Sequence, residues 1–272
     1  LPETLALTSP ARIAEFDADH LLVSDYESNY IYIVDKNTLQ PTAKIKVQGK
    51  STGIAMADDK IFVGNRTLRS VDVFDLQGNL LYRLGSGKAQ FLQINDVDVD
   101  PARRVVYALD TKGKCIKRFN LDGSSAGMDI GVGRLLQPSA LTVDPANGNI
   151  LVSDFGTPEK MNDSAVHLFD STGAWKSTRS GKSGMSGFIF SSPQGSAISD
   201  NGNLYLVDSG LCQILVFTPT TSTPIYLGAR GINSDELNYP LDVFLDAPTG
   251  DLFVSDHYNK RITVFRGGGL TP

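Results

Sequence analysis

Two cysteines and three histidines are the whole supply of soft metal ligands in these 272 residues. Cys115 and Cys212 are too few for a disulfide scaffold or a cysteine-rich zinc site. No apolar run approaches the roughly 20 residues a helix needs to cross a bilayer, and neither end carries a lipidation signal. Positive charge is also short. Twenty-five Lys and Arg against thirty Asp and Glu leave a net charge of -5, the wrong sign for a chain that binds by neutralising many phosphates, so nucleic acid is not an expected partner. Leu1 stands where a methionine would begin a primary product, which points to removal of an upstream segment and to an extracytoplasmic protein, periplasmic or extracellular.

What the sequence has in quantity is glycine, 26 residues, and short apolar runs between turns. The strings "LLVSD", "ILVSD" and "LFVSD" end at Asp25, Asp154 and Asp256, and "KIFVGN", "VVYALD" and "NLYLVD" extend the series to Asn65, Asp110 and Asp208. Nine residues beyond these positions the next run ends at Val34, Phe74, Phe119, Phe217 and Phe265, and fifteen beyond Asp154 it ends at Phe169. Three places before each of those stands a β-branched residue, Ile31, Val71, Ile116, Val166, Ile214 and Ile262, as a half-buried strand prefers. Upstream of each copy lies a further apolar run, such as "GIAMAD" or "LDVFLD", usually followed by a turn such as "ANGN" or "DNGN" that reads as a hairpin. A more variable fourth run follows, as in "LLYRLG" and "TPIYLG". Four antiparallel strands in repeats of about 40 to 50 residues describe a propeller blade.

The expected fold is therefore all-β, a single-domain six-bladed propeller over residues 1–272. The sixth copy ends at "ITVFRGGGLTP" without a fourth strand, and "TLALTS" at the other end is unassigned. An N-terminal strand closing the last blade would remove the exposed edges. The recurring Asp25, Asp154 and Asp256 are expected to cap the turns that follow them.

The repeats resemble the NHL family, whose units read approximately F-x-x-P-x-G-I-A-V-D, then G-N-L-Y-V-A-D and N-x-R-I-x-V-F. "SPQGSAISDNGNLYLVDS" and "DHYNKRITVF" match closely, "STGIAMADDKIFVGN" and "QPSALTVDPANGNILVSD" less so. The resemblance implies a propeller that hosts enzymes, scaffolds and ligand binders alike, so function is sought where the symmetry breaks.

The clearest break is the blade-four insertion "FGTPEKMNDSAV", on the face that also carries the long linkers between blades. Long loops on a rigid scaffold are the usual place for recognition. Arg66, Arg69, Lys112, Lys114, Lys160 and Lys260 fall on this face, with His257 and Tyr258 as an aromatic anchor, and an acidic partner suits them. The expected function is non-catalytic binding or scaffolding of a protein partner, an exported redox protein or another surface assembly. No cofactor is required by this reading. The alternative is a Ca²⁺-dependent lactonase or esterase. Six-bladed propellers that resemble gluconolactonase and paraoxonase hold Ca²⁺ in the central channel, and Asn95, Asp96 and Asp242, with Glu15, are the analogous candidates. Amidating lyases also resemble NHL propellers and need several channel histidines. His20, His167 and His257 fall in a hairpin turn, a third strand and a loop of another blade, and are not expected to converge.

Overall fold

The β-branched and aromatic runs form strands, and the Asp, Asn and Gly positions between them reverse the chain. A computed structural model describes residues 5–85, 90–157, 163–183, 187–221 and 223–267. Six antiparallel blade sheets follow one another along the chain, with a two-stranded pair, Lys182–Ser183 and Gly187–Phe188, between blades four and five, and the described residues contain no helix. Their inner strands are Pro10–Glu15, Ser51–Ala57, Ile94–Asp100, Pro138–Val143, Pro193–Ile198 and Pro240–Asp246. Each inner strand packs beside its two neighbours, and the last packs beside the first, so the ring is closed around a channel.

Second and third strands pair as expected in every blade. Blades one, two, four and five have four strands. In blade three the chain returns beside the third strand through only two isolated bridges, Ile116 with Ile130 and Phe119 with Ser125. Among the described residues blade six has three strands, and the expected N-terminal closing strand is not seen as a ladder. Residues 5–9 form no ladder with the last blade. They cover it by packing instead, with Leu7 buried among Ile13, Val23, Phe253 and Ile262.

The core is six wedges, each between two adjacent blades. Phe62, Val73 and Leu84 of blade two meet Val97, Val106 and Phe119 of blade three, and equivalent clusters fill the other seams. Packing density thus depends on every neighbour being present, as the sheet-on-sheet geometry of a ring demands.

The recurring carboxylate ties each seam to a turn. Asp110 accepts the N–H groups of Leu92 and Gln93 from the linker before it, and that of Gly113 from the turn after it. Asp25, Asp154 and Asp208 do the same with Thr8, Ser9 and Ser28, with Leu136, Gln137 and Gly156, and with Ser191, Ser192, Gly210 and Leu211. Four residues beyond the tie the turn needs a left-handed backbone. Asn29, Arg69, Lys114, Cys212 and Lys260 adopt it there, with φ between 54° and 57°.

Blade two departs from this chemistry. Asn65 accepts the N–H of Leu68, but its Nδ2 donates to the carbonyl of Gln48 and, at 2.9 Å, to the carboxylate of Asp72. Only an amide can do both. Its side chain is fully buried, so the N-R-T glycosylation pattern at this position is used structurally. Asn65→Asp is expected to lower stability by about 2 kcal/mol or more, because it sets two buried carboxylates in contact and removes a donor. Urea denaturation checks this. An unchanged midpoint would mean that Asp72 does not depend on the amide.

Candidate functional site

The inner strands place one residue per blade nearest the channel axis, in the order Arg12, Gly53, Asp96, Ala140, Gly195 and Asp242. Three small residues leave room for one large one. Arg12 crosses the channel, only 6% exposed. Its Nη1 donates to the carbonyl of Leu241 in blade six at 2.6 Å, and its Nη2 to the carbonyl of Ser139 in blade four at 2.9 Å. Its Nε lies 3.2 Å from Asp96 Oδ2 in blade three, as an ion pair without the alignment of a hydrogen bond. The guanidinium divides the channel into two cups.

The first cup opens on the face of the inner hairpins and has a volume of about 730 Å³. Asp96, Asp98 and Asp242 line it, with Glu15, Asp17, Asp58 and Asp59 towards the rim and Phe16, Met56 and Phe244 as apolar wall. Asp96 accepts the N–H of Leu141 and Asp98 that of Val143, which stitches blade three to blade four. Asp242 accepts the N–H of Ile13 at 2.9 Å and so joins blade six to blade one. A Cβ on Gly195 would lie 1.7 Å from Asp242 Oδ1, which is why the position is glycine. Depth in the channel pushes the carboxyls of Asp98 and Asp242 up to about 7, against the pull of the backbone N–H groups and, for Asp242, of Arg12. Asp96 is raised by the same burial and held back chiefly by Arg12.

The second cup opens on the loop-bearing face and has a volume of about 370 Å³. Arg12 forms its floor together with Ala11 and Leu241, and Tyr26, Arg66, Phe155, Tyr239 and His257 rise around it. Tyr239 stacks on Tyr258 with ring centroids 4.9 Å apart, and His257 lies against both rings. His257 Nδ1 is 3.0 Å from the carbonyl of Pro10, which makes Nδ1 the protonated nitrogen. Across the mouth, Tyr26 is flanked by Lys50 Nζ at 4.4 Å and the Arg66 guanidinium at 5.7 Å.

Of the residues singled out from sequence, Arg66 and His257 line this second cup, and Tyr258 buttresses it through Tyr239. Arg69, Lys112, Lys114 and Lys260 stand exposed on the same loops. Lys160 lies outside the described residues. The Ca²⁺ candidates are not assembled. Asn95 faces the second cup and gives its Nδ2 to the carbonyl of Ser139, whereas Asp96 and Asp242 face the first. Glu15 is paired with Lys36 at 3.0 Å. A cationic guanidinium already fills the space between the channel carboxylates, so this donor set does not fit a Ca²⁺ cage. Among the described residues no group of three or more acidic, His or Cys side chains is placed to hold a metal ion. The histidines are separate, with His20 on Asp17, His167 on Thr178 and His257 on Pro10. Both cysteines are free and buried, and burial beside Asp129 pushes the Cys115 thiol up to about 12.

Arg12, Gln194, Tyr26, Phe155 and Tyr239 escaped the sequence reading. Arg12 alone left a signal, as a charge in an inner-strand register whose other members include Gly53, Ala140 and Gly195.

Arg12→Leu is expected to cost about 3–5 kcal/mol, since it leaves Asp96 buried without its counter-charge. Adding Asp96→Asn should recover part of that loss, and the four denaturation midpoints of the cycle measure it. A second expectation concerns pH. A carboxyl at about 7 in the fold, against 3.8 for the free group, keeps its proton longer in the folded state. Its contribution is therefore greatest in acid, declines as pH rises between these two values and is flat beyond them. The stability of the native protein relative to Asp98→Asn should fall between about pH 4 and pH 7. A flat difference would remove Asp98 as a titrating group in that window.

Comparison with known proteins bears on the fold. A family model described as a 6-bladed β-propeller matches residues 48–129, and an NHL-repeat model matches residues 237–265. Hydrazine synthase from Kuenenia stuttgartiensis is similar over 98% of this chain and 79% of its own, with 14% identity and a TM-score of 0.69. Virginiamycin B lyase from Staphylococcus aureus is 13% identical over 97% of this chain and 87% of its own, with a TM-score of 0.66. A gluconolactonase from Xanthomonas campestris is 17% identical over 96% of this chain and 86% of its own, with a TM-score of 0.69. Likeness at these identities speaks for shape and leaves chemistry open. The chain is a six-bladed β-propeller whose last blade carries an NHL repeat.

Proposed function

We propose that this propeller is a non-catalytic binding protein that engages an acidic surface of a protein partner with its loop-bearing face. The observation that carries the reading is a group of cations on the loop-bearing face, where Glu27 and Asp163 are already paired with Lys50 and Lys182 and Asp235 stands exposed nearby. Arg66, Arg69, Lys112, Lys114 and Lys260 stand on one face, and none of them has a carboxylate partner among the described residues. The opposite face carries Asp17, Asp35, Asp58, Asp75, Asp122, Asp144 and Asp170 in its hairpins, and there Arg103 and Arg104 are neutralised by Asp100 and Asp58. An acidic protein overall thus presents a basic end, which steers an acidic partner and orients it. Tyr258, 59% exposed and stacked on Tyr239, gives that end a rigid aromatic anchor of the kind that dominates interface energetics.

The competing hydrolase reading needs the channel donors to converge on a cation, and Arg12 takes both the space and the charge.

The test is cross-linking in the native source, comparing the native chain with a variant that combines Arg69→Glu, Lys114→Glu and Lys260→Glu. These residues are exposed, so the fold should survive. A companion cross-linked through Lys112, which both proteins retain, captured by the native chain, lost from the variant and weakened by salt, is the expected outcome. Equal capture by both proteins would sink the assignment of this face.

A further inference from the structure

The second cup has features that a partner-binding surface does not require. At the level just above Arg12 the six blades contribute Ala11, Thr52, Asn95, Ser139, Gln194 and Leu241. The polar members of this set bond to the protein with one exception. Thr52 donates to the carbonyl of Gly64, Asn95 to that of Ser139, and Ser139 to that of Pro193. Gln194 is 6% exposed and lines the cup, yet its side-chain amide has no hydrogen-bond partner among the described residues; only its main-chain carbonyl is engaged, by Ser153. The amide atoms are not among the fully buried side-chain atoms that lack a partner, so they reach the cup and are available to a molecule held there.

What would complete the amide is set by the other polar groups in the cup. Arg12 commits one N–H of each terminal nitrogen to Leu241 and Ser139, and each terminal nitrogen carries a second hydrogen. Arg66 stands half-buried at the wall, over the ring of Tyr26. No Asp or Glu lines this cup. Two guanidinium groups and an unused amide facing a space without a carboxylate form a receptor for an anion, and guanidinium is the side chain best matched to a carboxylate. The walls are flat and apolar, with Tyr26, Phe155 and Tyr239 around the mouth. Tyr239 holds a left-handed backbone with φ of 57°, a strained state for an aromatic residue, of the kind that concentrates at ligand-binding sites. The volume of about 370 Å³ suits a small ligand.

We propose that the second cup is a binding site for a small organic anion, a carboxylate carried on a flat apolar body. The carboxylate sits between Arg66 and the Arg12 floor, accepts from the Gln194 amide, and its body lies among the three rings. The site shares Arg66 with the face assigned to the protein partner, while Arg69, Lys112, Lys114 and Lys260 stand outside the cup.

Calorimetric titration of the full chain with benzoate tests this, with benzamide as the neutral shape control. Saturable binding of benzoate and none of benzamide is expected. Gln194→Leu and Arg66→Met should each weaken benzoate by about ten-fold or more, which corresponds to about 1.4 kcal/mol. Arg69→Met, on the same face outside the cup, should leave it unchanged. Equal binding of benzoate and benzamide, no binding of benzoate, or full retention of binding in Arg66→Met would each overturn the proposal. Because Arg66 lies at the wall and not in the ring's centre, its variant is expected to keep the native melting temperature, which separates lost binding from lost fold.

Discussion

One guanidinium holds the centre of this ring. Arg12 reaches from blade one to carbonyls of blades four and six and to a carboxylate of blade three, so four of the six blades share a single charged group. A propeller needs something at its axis, because strands that fan outward leave a widening gap that small inner residues cannot fill. Gly53 and Gly195 tighten the ring, since a Cβ at either would collide with the next inner strand or with Asp242. The remaining gap is filled by a side chain whose planar fork satisfies several acceptors together. The arrangement is stable only as a whole: with Asp96 also accepting the N–H of Leu141, removal of any member leaves a buried charge or donor unanswered.

Around this centre the same logic recurs at lower charge. Except in blade two, the Asp at the end of the second strand takes N–H groups from the linker before it, and those of Asp25, Asp110, Asp154 and Asp208 also take them from the turn after it; each core wedge belongs to two blades. The wedge cannot be formed by one repeat alone, which couples local strand formation to closure of the ring. The N-terminal segment fits this pattern. Thr8 and Ser9 bind Asp25 as the linkers before blades three, four and five bind Asp110, Asp154 and Asp208, while Leu7 fills the seam between blades six and one. Among the described residues closure rests on side-chain packing and on Ile13 N–H to Asp242.

The difference between what was legible in sequence and what was not follows from these facts. Strand order, blade count and the Asp ties were legible because they are repeated, so six weak signals reinforce one another in register. A residue that acts once, across the axis, has no second copy to be compared with, and Arg12 looks like any charged residue on an alternating strand. The same applies to Gln194, since Thr52, Asn95 and Ser139 at the same level are also polar and differ in finding a partner. The Ca²⁺ set failed for a geometrical reason: Asn95 and Asp96 are adjacent in sequence, and adjacent residues of a strand point to opposite sides. Here that alternation sends Asn95 to one cup and Asp96 to the other.

Because Arg12 separates the cups, the two ends of the channel become chemically distinct. Below it, three channel aspartates outnumber one cation, and their mutual repulsion and burial favour the protonated state of Asp98 and Asp242 near neutrality. Above it, the same cation faces a cup with no acid in it, joined by Arg66 and an amide without a partner. One side chain thus serves as counter-charge on one side and as anion receptor on the other. That double use explains why the axis carries arginine where lysine would be long enough. A lysine ammonium is a single point charge, and only a planar fork can bond blades four and six while still presenting free N–H groups. The rim charges then extend the polarity outward, from the basic loops at one end to the acidic hairpins at the other, so the field that would guide a partner and the cup that would hold an anion lie at the same end of the ring.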